Sequence, residues 1–284
     1  MIPLIHLCRL HRPIGIVLLM LPCWWGAALA FPQKGVDFYQ TLFLFLIGAA
    51  SLRSAGCVVN DWIDRKYDRN VVRTNKRPLV LGTVTASQAL FLFVLMMGIG
   101  GVVWLCLNSA AKFVSMIGLC LLFIYPFMKR LTYWPQLVLG LAFNIGVLIA
   151  CADVSPTLLA RPEVWLLYAT GILWTLAYDT IYAFQDVQDD LRLGLKSTAL
   201  LFQNYPYTLP LISYGGMFAC LGVLGYLKQA QKDYFCFLGV SFLISFICLK
   251  QWQPKKPDSC NIFFKANALL GFLVFFALCQ IVQR

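Results

Sequence analysis

The sequence has 284 residues, 60% of them hydrophobic and only 12% charged, with a formal net charge of +11. A chain this apolar is not a soluble domain, and hydrophobic runs of about 20 residues without two-residue alternation exclude a transmembrane barrel. The basic residues fall in short loops between those runs, so the positive charge argues for membrane topology rather than a nucleic-acid surface.

The first apolar run, Ile14 to Phe31, follows Arg9 and Arg12 and ends in Ala28-Leu29-Ala30, similar to a signal-peptide cleavage site. Pro13, Pro22 and the Trp24-Trp25 pair favour a retained first helix. After a loop with Lys34 and Asp37, a second helix runs to a polar stretch beginning at Asn60. Further helices are expected at Gln88 to Leu107, Phe113 to Pro126, Leu137 to Cys151, Trp165 to Phe184, Leu209 to Leu227, Phe235 to Leu249 and Ile262 to Val282. The expected fold is therefore all-α, a polytopic bundle of nine transmembrane helices, and no polar linker is long enough to split residues 1–284 into more than one domain. With an inside amino terminus, 17 of the 23 Lys and Arg residues fall on one side, which the positive-inside bias makes cytoplasmic. Eleven cysteines lie scattered without a CxxC and read as small apolar fillers. His6 and His11 have no partner at ligand spacing and read as interfacial.

Two polar stretches interrupt the apolar pattern on the same expected side. In the first, Arg53 to Pro78, the residues Asn60, Asp64 and Asp68 recur every four positions, which on a helix places them on one face about a turn apart, with Asp61 at the edge. In the second, Tyr178 to Ser197, an unbroken helix would bring Asp179, Asp186 and Asp190 to one face, with Asp189 beside them. Seven of the twelve acidic residues fall in these two clusters. Solvated loops would explain neither, because juxtamembrane loops are basic and acids add little to orientation. Converging carboxylates repel one another unless cations lie between them, and open groups of two or three oxygen ligands suit magnesium shared with a phosphate-bearing substrate. A diphosphate leaving from an apolar membrane substrate points to an isoprenoid chain.

NDWIDRKYD, residues 60 to 68, resembles the NDxxDxxxD signature of the UbiA superfamily of membrane prenyltransferases, and Asp186 to Asp190 resembles its second, DxxxD, signature. Arg53 to Val59, Arg73-Thr74, Arg77-Pro78-Leu79, Tyr125 to Arg130, Tyr178-Asp179-Thr180 and Gly194 to Thr198 are most similar to the branch that prenylates 4-hydroxybenzoate for ubiquinone. The resemblance implies a nine-helix bundle around a central cavity in a bacterial inner membrane, dependent on Mg2+, with polyprenyl diphosphate and 4-hydroxybenzoate as substrates. By position it implies metal and diphosphate ligands at Asn60, Asp64, Asp68, Asp186 and Asp190. Diphosphate contacts are implied at Arg77 and Lys129, a further substrate contact at Lys196, and a benzoate-carboxylate contact at Arg53. Asp179 and Tyr182 would steer the phenol or accept the ring proton. The second signature has thinner acidic surroundings than the pattern leads one to expect, since positions 187 and 188 are Val and Gln. Alternatives are a sibling enzyme with another acceptor, such as dihydroxynaphthoate or haem, and a non-enzymatic lipid-diphosphate transporter. A polyprenyl tail must enter sideways from the lipid, and the apolar first (Ile16 to Leu21) and ninth (Leu269 to Ala277) helices are the expected lateral passage.

Overall fold

The structure, a computed structural model, describes residues 2–69 and 74–281, with the backbone alone at Ile2, Lys66 and Tyr67. Arg73 of the first polar stretch and Arg284 lie outside the described residues. Among the described residues there is no strand, and nine long apolar helices occur in order. These are α1 (Ile14–Ala30), α2 (Val36–Ile63), α3 (Ala86–Cys106), α4 (Ser109–Leu131), α5 (Pro135–Val154), α6 (Pro162–Ala183), α7 (Thr208–Leu227), α8 (Lys232–Gln251) and α9 (Pro257–Cys279). Eight are long enough to span a bilayer, and α1 is shorter at 17 residues. Most ends lie a few residues outside the apolar runs, and at the starts of α3 and α4 a side-chain cap extends them. At the start of α4, Asn108 Oδ1 accepts from the Ala111 N–H. That helix also continues through Pro126, its expected end, to Leu131, and Lys129 and Arg130 lie in the last turn, where cations favour the exposed carbonyls. Helix α9 starts at Pro257, earlier than its apolar run, because proline suits a first helical turn.

The chain forms two compact units, Met1–Met20 with Phe43–Leu107, and Leu21–Leu42 with Asn108–Arg284. In the first, the short helix Ile2–Leu7 leads to Leu7 and Cys8, which are buried with Val58 of α2, Leu79 and Val84 of the following turn, and Ala89 and Leu92 of α3. A capping box at Thr85 and Gln88 starts α3. Helices α2 and α3 approach closely where Gly48 faces Val103 and Gly100 faces Ser51, the small-residue contact that membrane helices use in place of hydrophobic driving force.

The second unit is stitched by polar side chains inside apolar helices. Asn267 Oδ1 of α9 accepts from Trp174 Nε1 at 2.9 Å and from the Tyr214 hydroxyl at 2.7 Å, joining α6, α7 and α9. Asn144 Nδ2 of α5 donates to Thr175 Oγ1, whose hydroxyl meets the Tyr178 oxygen at 3.2 Å. Such groups need partners within the protein, because hydrocarbon offers none; Asn144 Oδ1, buried without one, is an exception. Trp25 Nε1 of α1 donates to the Gly271 carbonyl of α9, and a Cβ at Gly271 would stand 2.5 Å from Leu21. The first and ninth helices are thus bonded and tightly packed at the level where a lateral passage between them was expected. A tail passing at Gly271 would have to break this buried hydrogen bond.

Candidate functional site

The first acidic row develops at the end of α2. The helix stops at Ile63, Asp64 occupies a turn, and Arg65–Asp68 forms another helical turn. The helical register survives the interruption, since the Asp64 N–H donates to the Asn60 carbonyl at 2.9 Å and the Asp68 N–H to the Asp64 carbonyl at 2.8 Å. Asn60, Asp64 and Asp68 therefore succeed one another a turn apart, as the spacing of four requires. Asp61 points elsewhere. It is 1% exposed, and its Oδ1 accepts from Arg9 Nη2 at 2.8 Å and forms an ion pair with Arg77 Nη1 at 3.1 Å. The same Arg77 nitrogen lies 2.6 Å from Asp68 Oδ2. Arg77, expected at a diphosphate, is thus held between two carboxylates, and Arg9 was not expected at the site at all. Arg53 lies on α2 against the start of α1, where a Cβ at Gly15 would come 2.6 Å from its Nε.

The second row departs from the expected helix. Helix α6 ends at Ala183, and a 3₁₀ turn, Phe184–Asp186, precedes the short helix Val187–Arg192. Each 3₁₀ residue turns about 120° rather than 100°, so three of them rotate the short helix by roughly 60° relative to α6. Asp186 and Asp190 keep their spacing of four, and the added rotation shifts them around the axis relative to Asp179. The break coincides with Phe184 packing edge-on against Trp252, which is 1% exposed and also meets Tyr207. Asp190 is 4% exposed and receives Lys129 Nζ at 3.3 and 3.4 Å. The loop after it is fixed by Gly194 at φ 67°, by the Lys196 N–H donating to the Lys129 carbonyl at 2.7 Å, and by Gln136 Oε1 accepting from Thr198 N–H. Lys196 Nζ itself donates to the Leu131 carbonyl and lies 5.6 Å from the Tyr133 ring centroid. Tyr182 is half-buried and packs on Phe264, with Tyr178 and Trp174 continuing an aromatic wall along α6.

Among the described residues, no three His, Cys, Asp or Glu side chains form a single metal group. Magnesium does not require one, because it takes one or two carboxylates and completes its shell with water and phosphate oxygens. Both rows offer oxygen donors only, and each already has a cationic nitrogen on one carboxylate, Arg77 on Asp68 and Lys129 on Asp190. The residues present therefore fit a magnesium ion bound together with a phosphate ligand.

The family model described as the UbiA prenyltransferase family matches residues 19–277. A 4-hydroxybenzoate octaprenyltransferase of Aliivibrio fischeri is 39% identical over 275 residues, covering 96% of this chain and 94% of its own. Among solved structures, the apo UbiA homolog from Aeropyrum pernix K1 superimposes with a TM-score of 0.77 at 26% identity over 92% of this chain and 96% of its own. A UbiA homolog from Archaeoglobus fulgidus bound to GPP and Mg2+ superimposes at 0.71 over 99% of each chain, and at 15% identity it shows the fold alone.

Proposed function

The chain belongs to the UbiA prenyltransferase family, and from that premise we propose that it transfers a polyprenyl group from polyprenyl diphosphate to the ring carbon ortho to the hydroxyl of 4-hydroxybenzoate, releasing diphosphate, in ubiquinone biosynthesis. The observation that carries the reading is the nearly full-length identity to a relative with that named activity. One catalytic domain spans both compact units, as does the match to residues 19–277. The strong loop bias of Lys and Arg supports a multi-pass protein of the bacterial inner membrane with its site toward the cytoplasm.

Asn60, Asp64 and Asp68 in one row and Asp186 and Asp190 in the other would hold magnesium with the diphosphate. When bound, the metal withdraws charge from the diphosphate and makes it a better leaving group. Lys129 and Arg77 supply charge-assisted hydrogen bonds to the diphosphate oxygens, and Lys196 adds positive charge beside Lys129. As the allylic carbon–oxygen bond breaks, the ring carbon of the acceptor forms the new carbon–carbon bond. Arg53 orients that ring through a two-pronged contact with the benzoate carboxylate. Asp179 or Tyr182 then accepts the ring proton, which restores aromaticity.

Purified protein with labelled 4-hydroxybenzoate, a polyprenyl diphosphate and magnesium should give the 3-polyprenyl product. EDTA should stop the reaction and magnesium restore it. Asp64→Ala or Asp190→Ala should lower kcat at least a hundredfold in protein that still inserts in the membrane. Undiminished turnover after complete metal removal would overturn the metal assignment, and no product with any prenyl diphosphate would overturn the reaction.

A further inference from the structure

Arg9 is the residue at which the amino-terminal segment joins the first acidic row. Its φ of 58° lies in the left-handed region, which glycine enters freely and arginine only against steric resistance. The turn is fixed on both sides. Before it, Leu7 and Cys8 are buried and Ser54 Oγ bonds the Cys8 carbonyl; after it, the Arg12 N–H donates to the Arg9 carbonyl at 2.9 Å. A strained conformation kept in place by its surroundings suggests that its side chain has a use. That side chain reaches Asp61, 52 residues along the chain, with Nη2 at 2.8 Å from Oδ1.

The charges around Asp61 show what the contact does. Arg9 and Arg77 share its one negative charge through the same oxygen, and Arg77 spends its surplus on Asp68. Asp61 Oδ2 is buried and has no hydrogen-bond partner. Two guanidinium groups therefore face two carboxylates, and the cluster is neutral while Arg77 rests on Asp68. Once Asp68 is engaged elsewhere, Asp61 alone must serve both arginines, which leaves one positive charge unbalanced. Were Arg9 absent, Asp61 would neutralise Arg77 completely, and its spare Oδ2 could accept a second Arg77 N–H.

We propose that Arg9 is a positioning residue for prenyl transfer, which by competing for Asp61 leaves the Arg77 guanidinium, always charged, only partly compensated there and free to turn from Asp68 to the diphosphate of the donor. The amino-terminal segment is thereby part of the active site, although Arg9 touches no substrate. This inference rests on the diphosphate reading of the first row.

The test compares Arg9→Gly, Arg9→Lys and Arg77→Ala in the full-length protein, with geranyl diphosphate as donor. Glycine removes the cation while relieving the backbone strain, so folded protein should not decline. Arg9→Gly should raise KM for the donor about tenfold, the cost of roughly one charge-assisted contact, with KM for 4-hydroxybenzoate unchanged and kcat within threefold. Without turnover, an unreactive geranyl thiolodiphosphate in magnesium should bind about tenfold more weakly to it. Arg9→Lys, which keeps the charge, should recover most of the loss. In an Arg77→Ala background, Arg9→Gly should add less than twofold, because its route runs through Arg77. Unchanged donor affinity in Arg9→Gly, additive losses in the double variant, or equal losses in both substrates that track lost folded protein would each overturn the inference. Failure of the wild-type protein to turn over any prenyl diphosphate would instead sink the parent reading.

Discussion

At the scale of single residues, the clearest candidate for acceptor binding is Arg53, and the structure supplies an independent way to move it. Losing a charge-assisted, two-pronged contact costs about 1.5–3 kcal/mol, or roughly tenfold to a hundredfold in affinity. Arg53→Ala should therefore raise KM for 4-hydroxybenzoate by that factor while leaving the prenyl diphosphate constant within threefold. Gly15→Ala offers a milder version, because its new methyl would sit 2.6 Å from Arg53 Nε and must push the guanidinium aside. A flexible side chain yields cheaply, so that variant should fold normally and raise the same constant only a few-fold. Steady-state kinetics with each substrate varied decide the matter, and a rise in the donor constant instead would reassign Arg53 to diphosphate. What the sequence showed at this scale was the local part. The spacing of Asn60, Asp64 and Asp68 fixes their register whatever lies around them. The pairing of Asp61 with Arg9 was not legible, since nothing between two residues 52 positions apart marks either as the other's partner.

At the scale of elements, hydropathy located all nine helices because each must supply an apolar surface of bilayer length. It did not foresee the break in the second row. That break coincides with Phe184 docking against Trp252, a ring that reaches it from the loop before α9, and periodicity within residues 178–197 contains no trace of that contact. The amino-terminal segment is similarly governed by its neighbours. His6 and His11 stack with ring centroids 4.1 Å apart, in a turn that also carries Arg9 and Arg12. Burial is the main cause that holds the His11 pKa below its ordinary value; the neighbouring His6 adds to it, with Arg12 and Arg9 contributing less, while a backbone contact with Ile5 opposes. A histidine whose folded pKa is lowered binds fewer protons folded than unfolded, so its contribution is intact above about pH 6.5 and declines as pH falls through the folded value. The docked turn should therefore loosen on acidification. Hydrogen exchange of amides 4–12, corrected for intrinsic rates, should be less protected at pH 5.5 than at pH 7.5, and His11→Asn should flatten that difference. Equal protection at both pH values in the wild-type protein would contradict the assignment.

For the whole molecule, the question is which way the sites face. Helices α5 and α6 with the latter's continuation to Arg192 have 67% and 61% of their most apolar stretches buried, whereas α3 and α4 have only 17%. The large exposed side chains of α3 and α4, Phe91, Val102, Leu105 and Phe113 among them, are what a lipid solvent would contact. Hydrocarbon alone does not distinguish the two membrane faces, and the decision falls to the loops. Moving Lys or Arg across the membrane is opposed during insertion, so the richer side stays in the cytoplasm. The loop between α7 and α8 belongs to the poorer side, and the loop between α8 and α9, with Lys255 and Lys256, to the richer one. Exposed positions are Gln231 in the first loop and, beside the second, Asp258 in the first turn of α9. All eleven native cysteines are free, so they can be replaced by Ala or Ser without breaking a disulfide, and prenyl-transfer activity of that background verifies its fold. In intact cells a membrane-impermeant maleimide should label Gln231→Cys readily and Asp258→Cys only after the inner membrane is permeabilised. The reverse pattern would turn both acidic rows away from the cytoplasm. Labelling of both from outside would contradict the single span that α8 places between them.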